Sequence, residues 1–438
     1  MKISLQRIVA FVLAAALSSS AASAGNVYQD CSPCDPCAPI CSAKKSKLKI
    51  GGWLEASYYR NGWGQETSYA FDENLNRNVV DNGNSSYLGS FQNADPQMNQ
   101  AWLYLEREMD TTHGFDWGFR IDGAFGTDVS FAQAFNDQTF DWNAGEGDYY
   151  WSMPSLYGTV GYKNLSVKIG RFETLLGYES FKSPGKFFVS HSYQYDTEPL
   201  ATTGILAEYA LGERVTLLAG YSMGNDTWEN RFGDSQIIGG VSVDLTEKLS
   251  LSYMFNVGYE YNGVYKNGIA RYNYSPTGFW HGDGTFHGDR HNNYYQTIVL
   301  EWQLTDRLSY VLQSNYFQSE FTGPYDPITV DGYAGIGKSY GVANYLTYQL
   351  NKRWALGFRA EWFRTEYAGM FGSGRQSQGN DFYEYTLGLK WTPWERLSVL
   401  GEIRYDQAWD DAGGALNVFD AGRHGEQFSG GISAILTF

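Results

Sequence analysis

Apolar and polar residues alternate along most of this chain with a period of two. In residues 249–260, Leu249, Leu251, Tyr253, Phe255, Val257 and Tyr259 share one side, and Ser250, Ser252, Asn256 and Glu260 share the other. In residues 397–406, Leu397, Val399, Ile403 and Tyr405 oppose Ser398, Glu402, Arg404 and Asp406. Residues 427–438 repeat the pattern up to Phe438 at the chain's end. Successive side chains of a strand point to opposite faces, so each run predicts a strand with one apolar face. The pattern places strands at 50–61, 97–108, 115–125, 155–163, 165–172, 202–211, 215–224, 237–245, 249–261, 293–304, 308–321, 339–350, 354–367, 381–392, 397–409 and 427–438.

The connections alternate in length. Five tight turns look alike: Gly212-Glu213-Arg214, Thr246-Glu247-Lys248, Thr305-Asp306-Arg307, Asn351-Lys352-Arg353 and Trp394-Glu395-Arg396. Their spacing is irregular, so they mark hairpin ends and not a solenoid repeat. Between them lie long loops rich in Gly, Asn and Asp. Short turns at one end and long loops at the other mark an outer-membrane barrel. A soluble β-sandwich would show the same alternation with its faces exchanged. Loop asymmetry, strand length and the terminal aromatic strand separate the two. The reading is an all-β fold, a transmembrane antiparallel up-and-down β-barrel of about sixteen strands over residues 50–438. Fourteen or eighteen strands remain open if a loop hides a hairpin.

Composition supports this. The chain of 438 residues is 17% aromatic, holds 50 Gly and is only 18% charged. Beyond the N-terminus no apolar run reaches the length of a membrane helix. The N-terminus carries Lys2 and Arg7, an apolar stretch over 8–17, then Ala22-Ser23-Ala24. Residues 1–24 read as a signal peptide that exports the chain, here to the bacterial outer membrane. Removing Lys2 and Arg7 takes the net charge from −16 to −18. Such acidity disfavours nucleic acid as a partner. Residues 25–49 read as a periplasmic linker, rich in Cys and Pro and then in Lys. Its Cys31, Cys34, Cys37 and Cys41 match the ferredoxin spacing. Ser42 replaces the following proline, no second run exists, and the exported context is oxidising. Disulfides or a tether are the expected use, and no cofactor is implied.

Residues 167–172 (Val-Lys-Ile-Gly-Arg-Phe), 176–179 (Leu-Gly-Tyr-Glu), 187–193 (Phe-Phe-Val-Ser-His-Ser-Tyr) and 203–209 (Thr-Gly-Ile-Leu-Ala-Glu-Tyr) are distinctive. Together they resemble the OmpL-like family of bacterial outer-membrane β-barrel porins, over about Trp53 to Phe438. The resemblance implies a porin passing small hydrophilic solutes and brings no catalytic residues. Likeness to sixteen-stranded porins implies a homotrimer among outer-membrane lipids.

A passive pore needs a constriction. Residues 174–199 mix Leu175, Leu176, Phe181, Phe187 and Phe188 with Glu179, Lys182 and Lys186. A loop meeting only water would not need those apolar groups, so it is expected to fold inward. Arg120, Asp122, Lys168, Arg171 and Glu173 flank it as constriction candidates, although simple parity turns Arg171 outward. Residues 126–154, with Asp137, Asp141, Glu146 and Asp148, form a rival. Parity turns Glu208, Glu260, Glu301, Arg359, Glu361, Glu402, Arg404 and Asp406 towards the lumen. This balance is acidic, and acidic rings favour cations, so a weak cation preference follows. No ladder of lumen lysines suggests a phosphate pore. His281, His287, Asp289 and His291 could hold a metal such as zinc on an outer loop. No motif orders a catalytic triad. The alternative reading is a closed structural or adhesive barrel with that metal-binding surface loop.

Overall fold

The computed structural model describes residues 48–62, 68–72, 77–81, 95–134, 140–143, 149–228, 235–260, 278–280, 286–288, 291–322, 334–366, 379–410, 414, 419 and 424–438. Sixteen strands build one wall. They are β1 (Leu48–Asn61), β2 (Gln97–Arg107), β3 (Phe115–Gly126), β4 (Leu156–Tyr162), β5 (Leu165–Glu173), β6 (Ala201–Leu211), β7 (Val215–Asn225) and β8 (Ser235–Thr246). They continue as β9 (Leu249–Glu260), β10 (His291–Gln303), β11 (Leu308–Thr322), β12 (Ala334–Gln349), β13 (Trp354–Thr365), β14 (Asn380–Trp394), β15 (Leu397–Asp410) and β16 (Glu426–Thr437). Each predicted strand is present, with ends moved by a few residues. β12 starts earlier than read, at Ala334.

Each strand pairs antiparallel with its sequence neighbours, and β16 pairs with β1 from Trp53↔Thr437 to Asn61↔Ser429. Gly52 and Phe438 exchange two backbone hydrogen bonds of 3.0 Å at the end of this seam. Closure leaves no open edge, as lipid demands. Among the described residues the loops hold three short hairpins, the last of which is joined to the wall because Tyr150–Ser152 also pairs with β3. Ser68–Asp72 pairs with Arg77–Asp81, Gly278–Trp280 with Phe286–Gly288, and Trp142–Asn143 with Tyr150–Ser152.

The outer face is apolar and open: Ile50, Ile169, Ile237, Ile403 and Phe428 are all more than half exposed. The inner face is polar and closed: Gln100, Asp122, Arg359, Glu384, Arg404 and Asp406 are buried. A soluble sandwich would reverse this order. A charge on the outer face would cost about 2–4 kcal/mol at mid-membrane.

Candidate functional site

The lumen is crossed by residues 174–200, between β5 and β6. Their apolar members seat the loop against the wall. Phe181 packs on Trp102, which stacks on Trp53 at 4.7 Å. Tyr193 packs on Phe363 and Phe382, and Leu176 joins the same cluster. Phe187 and Phe188 lie against Gly357 and Gly388, where a Cβ would come within 2.1 and 2.8 Å of their rings. Gly177 turns at φ +83, and a Cβ there would meet the Glu198 carboxylate.

Polar bonds then fix the position. Strand register sets Glu361, Glu384 and Asp406 in one row of the wall, with Arg359 and Arg404 in the next. Residues 189–194 lie across these rows and are held by their backbone. The amides of Val189 and Ser190 donate to Glu402 at 2.7 and 3.1 Å. Those of Tyr193 and Gln194 donate to Glu361 at 2.6 and 2.8 Å. Arg359 donates to the carbonyls of Ser190 and His191 at 2.9 and 3.1 Å, and Arg404 to that of His191 at 2.5 Å. The short helix α1 (Tyr193–Thr197) begins here because its first amides need acceptors. Glu361 supplies two oxygens and the Ser192 hydroxyl accepts from Tyr195 N at 3.2 Å.

Glu179 is a second anchor. It accepts from Ser192 N (3.1 Å), Tyr345 (2.8 Å) and Arg359 (3.1 Å), and lies 2.6 Å from His191 Nδ1. Ser183 and Lys186 reach Glu55 on β1, and Lys186 also reaches Asp128 at 3.3 Å. Further bonds run to Gln100 on β2, Thr297 on β10, Gln313 on β11 and Lys390 on β14. The segment is thus strapped to β1, β2 and β10–β15.

Burial pushes the Glu179 carboxyl up, but Arg359 and then His191 and Tyr345 outweigh it and hold the group well below the usual carboxylate range. Burial, then the Lys186 ammonium, hold the His191 imidazole below its ordinary value against the pull of Glu179. Both shifts favour the deprotonated forms. Their stabilisation is complete above the unfolded values of about 6.5 for His and 4.3 for Glu, and is lost as pH falls through the folded ones. Acid is therefore expected to loosen the loop. Amide-exchange protection at Val189, Ser190, Tyr193 and Gln194, corrected for intrinsic rates, should drop between pH 7 and pH 4. His191→Gln should flatten that dependence, whereas Glu179→Gln, which removes the group that raises the His191 value, should not; unchanged protection at pH 4 would refute it.

The expected constriction residues separate into two groups. Glu179 and Lys186 are buried in the anchoring network. Lys182 pairs with Glu173 at 2.8 Å, and Lys168 with Glu208 at 3.6 Å; all four stay partly exposed. Arg120 pairs with Asp122 on its own strand at 2.9 Å and with Glu106 at 3.4 Å. Its ion partners come from its own side of the wall. Arg171 is fully buried and donates to the carbonyls of Thr227 and Ala132 at 2.9 and 3.0 Å. It thereby braces the loop after β3, to which Ala132 belongs. In the rival loop, Asp128 joins Lys186, while Asp141 accepts from Ala134 N, Met153 N and Trp228. Asp137, Glu146 and Asp148 lie outside the described residues.

Arg359, Glu361, Glu402, Arg404 and Asp406 are buried on the inner side of their strands, and Glu208 and Glu301 lie at inner positions with more exposure. Sequence reading missed the use of the acids: Glu361, Glu402 and Asp406 accept hydrogen bonds from the loop. Glu384, in the same row, holds Arg359 at 2.8 Å. Ser190, which brings its hydroxyl to both Arg359 and Arg404, was also missed. His281, Asp289 and the four cysteines lie outside the described residues, as do the side chains of Glu260, His287 and His291. Among the described residues no His, Cys, Asp and Glu group is arranged to hold a metal.

A family model described as "Putative beta-barrel porin-2, OmpL-like" matches residues 47–438. The chain belongs to this family. The family accounts for the whole wall and for the loop within it, and it points to a channel and not to an enzyme. Solved structures share the fold at low identity. An outer-membrane channel, DcaP of Acinetobacter baumannii, matches at 12% identity and TM-score 0.51, over 89% of this chain and 97% of that one. The anion-selective porin of Comamonas acidovorans matches at 12% and 0.53, over 89% and 99%. OmpT of Vibrio cholerae, in a trimer form, matches at 12% and 0.51 over the same shares. A comparison with curated proteins finds no match.

Proposed function

We propose that this porin gives passive diffusion of small hydrophilic solutes across the bacterial outer membrane, with a weak preference for cations. One observation carries the reading: an inward loop is anchored by hydrogen bonds to β1, β2 and β10–β15, while β7–β9 meet it through apolar clusters that join Leu175 to Leu218 and Ile238, and Leu176 to Met254, and carry small residues besides. The lumen faces of β7–β9 carry Thr216, Gly220, Gly240, Ser242, Ser250 and Ser252, all part-exposed. These small residues offer a smooth water-lined path. The preference is weak because the buried acids are already engaged. The part-exposed or exposed acids Glu106, Glu173, Glu208 and Glu301 are offset by Arg120, Lys168, Lys182 and Lys390. The chain's net charge of −16 then tips the local ion balance towards cations.

The same reading includes a homotrimer. β4 and β5 span only seven and nine residues, at or below the roughly 9–11 of a membrane strand. On the outer face of β3–β5, Phe119, Val160, Val167 and Ile169 line an apolar groove around Gly158. A second copy would cover this groove better than lipid. Single-channel recording tests the whole proposal. Stable open current, reversal potentials shifted slightly towards cations in a salt gradient, and closure in three equal steps are expected. A barrel that inserts without current would favour the closed structural reading, and clear anion selectivity would remove the cation preference.

A further inference from the structure

The five similar turns hold more than hairpin ends. In each, the last residue is basic: Arg214, Lys248, Arg307, Arg353 and Arg396. Each of these lies one residue before the first residue of its strand, and its carbonyl accepts a backbone hydrogen bond from the neighbouring strand. The donors are the amides of Asp244, Gln303, Gln349, Thr392 and Thr437, all at 2.8 Å. These bonds continue the ladder by one step past Val215↔Val243, Leu249↔Trp302, Leu308↔Tyr348, Trp354↔Trp391 and Leu397↔Leu436. Pleat alternation therefore still applies at these positions. Val215, Leu249, Leu308, Trp354 and Leu397 take the membrane side, so each basic residue falls on the lumen side. The turn between β4 and β5 obeys the same rule with a neutral residue, Asn164, whose carbonyl accepts from Ala210 at 2.9 Å.

The result is an arc of cations along the mouth, one on each of five successive hairpins from β6–β7 to β14–β15. Neighbours stand two strands apart, on the order of 10 Å. All five are exposed. Among the described residues only Lys248 has an ion pair, with Asp306 at 3.4 Å, and both side chains are more than half exposed. Such a pair is weak. Glu213, Glu247, Asp306 and Glu395 sit one residue earlier, within the turns. Asp244 faces Arg214 across the ladder without an ion pair. Lipid headgroups are poor occupants, because the lumen-side parity turns these side chains away from the membrane.

We propose that these five residues form an anion-collecting arc at the periplasmic mouth. It binds multivalent oxyanions, such as polyphosphates or polycarboxylates, and makes their effect on conduction one-sided. Clusters of Arg and Lys around a pore attract anions in this way. The function follows from spacing and charge at the mouth and is separate from the selectivity of the passage itself.

Inorganic tripolyphosphate at low ionic strength tests it, since screening would hide exposed charges at high salt. Calorimetry on the purified full-length protein should show binding that weakens at least tenfold in a variant carrying R214Q, K248Q, R307Q, R353Q and R396Q. All five positions are exposed, so the barrel should tolerate the changes. In a planar bilayer, millimolar tripolyphosphate should reduce current from one side several-fold more than from the other, and the variant should lose that asymmetry. Equal binding by wild type and variant, or equal block from both sides, would overturn the proposal. The binding measurement does not need an open channel, so a closed barrel would sink the porin reading and leave the arc to be judged on its own.

Discussion

Replacing Arg359 with alanine is expected to release the lumenal loop and raise single-channel conductance several-fold, with the barrel still closed. The guanidinium is fully buried and makes five contacts: Glu384 at 2.8 Å, Glu179 at 3.1 Å, the Ser190 carbonyl and hydroxyl at 2.9 and 3.1 Å, and the His191 carbonyl at 3.1 Å. Removing one member of a buried ion pair costs about 3–5 kcal/mol, because the partner stays dehydrated and unpaired. Here the wall and the loop share that cost unequally. The wall strands keep their ladders whatever the loop does. The quickest relief is for residues 179–194 to leave, so that water reaches Glu384 and Glu361. Two readouts separate this from general unfolding. Trypsin should cut after Lys182 and Lys186 in the variant and spare them in the parent, while heat-modifiable gel mobility stays that of a folded barrel. Arg359→Met combined with Glu384→Leu removes a cation and its nearest carboxylate together and should recover part of the docking. Parent-like conductance and protease resistance in Arg359→Ala would show that the apolar seats alone hold the loop.

The wall was legible in the sequence because its signal is local. Alternation over a few residues fixes which side of a strand meets lipid, as in residues 249–260, and turn length fixes which end is which. The inward loop was legible for a related reason: Phe181, Phe187 and Phe188 would be unprofitable in water. Glu361 and Arg404 are both buried on the inner side of their strands. What parity lacks is height and azimuth. Tyr193 meets Glu361, and Val189 meets Glu402, across separations of 168 and 213 residues. Only the accumulated register of the intervening strands sets Glu361 level with Glu384 and Asp406. So an acid that reads as a lumen charge turns out to be an acceptor for backbone amides. Arg171 fails differently. It was grouped with the constriction on its neighbours, yet its burial is provided by carbonyls from two loops that no local pattern announces. The basic arc was visible as five similar turns, but its common direction emerges only when each ladder is seen to run one step further.

Glycine 52 carries the second large effect, and it falls on the barrel itself. A Cβ at Gly52 would lie 2.2 Å from the Trp102 carbonyl oxygen on β2 and 2.8 Å from the Phe438 ring. The ring could turn aside; the carbonyl belongs to the β1–β2 ladder and cannot. Gly52 also holds both closing hydrogen bonds with Phe438. Gly52→Val therefore forces β1 away from β2, from β16, or from both, at the one place where the wall joins its two ends. Overpacking a tight site costs about 1–3 kcal/mol, and opening a strand edge in lipid adds unsatisfied backbone groups at several kcal/mol each. The expected outcome is a large loss of folded, heat-modifiable protein in the outer-membrane fraction. Gly123→Val is the control. A Cβ at Gly123 meets nothing within 4 Å, its side chain would face lipid, and a β-branched residue suits a strand. That variant should assemble as well as the parent. Normal assembly of Gly52→Val would mean that the seam tolerates displacement, and that closure depends on the lower part of the β16–β1 ladder and not on its last pair.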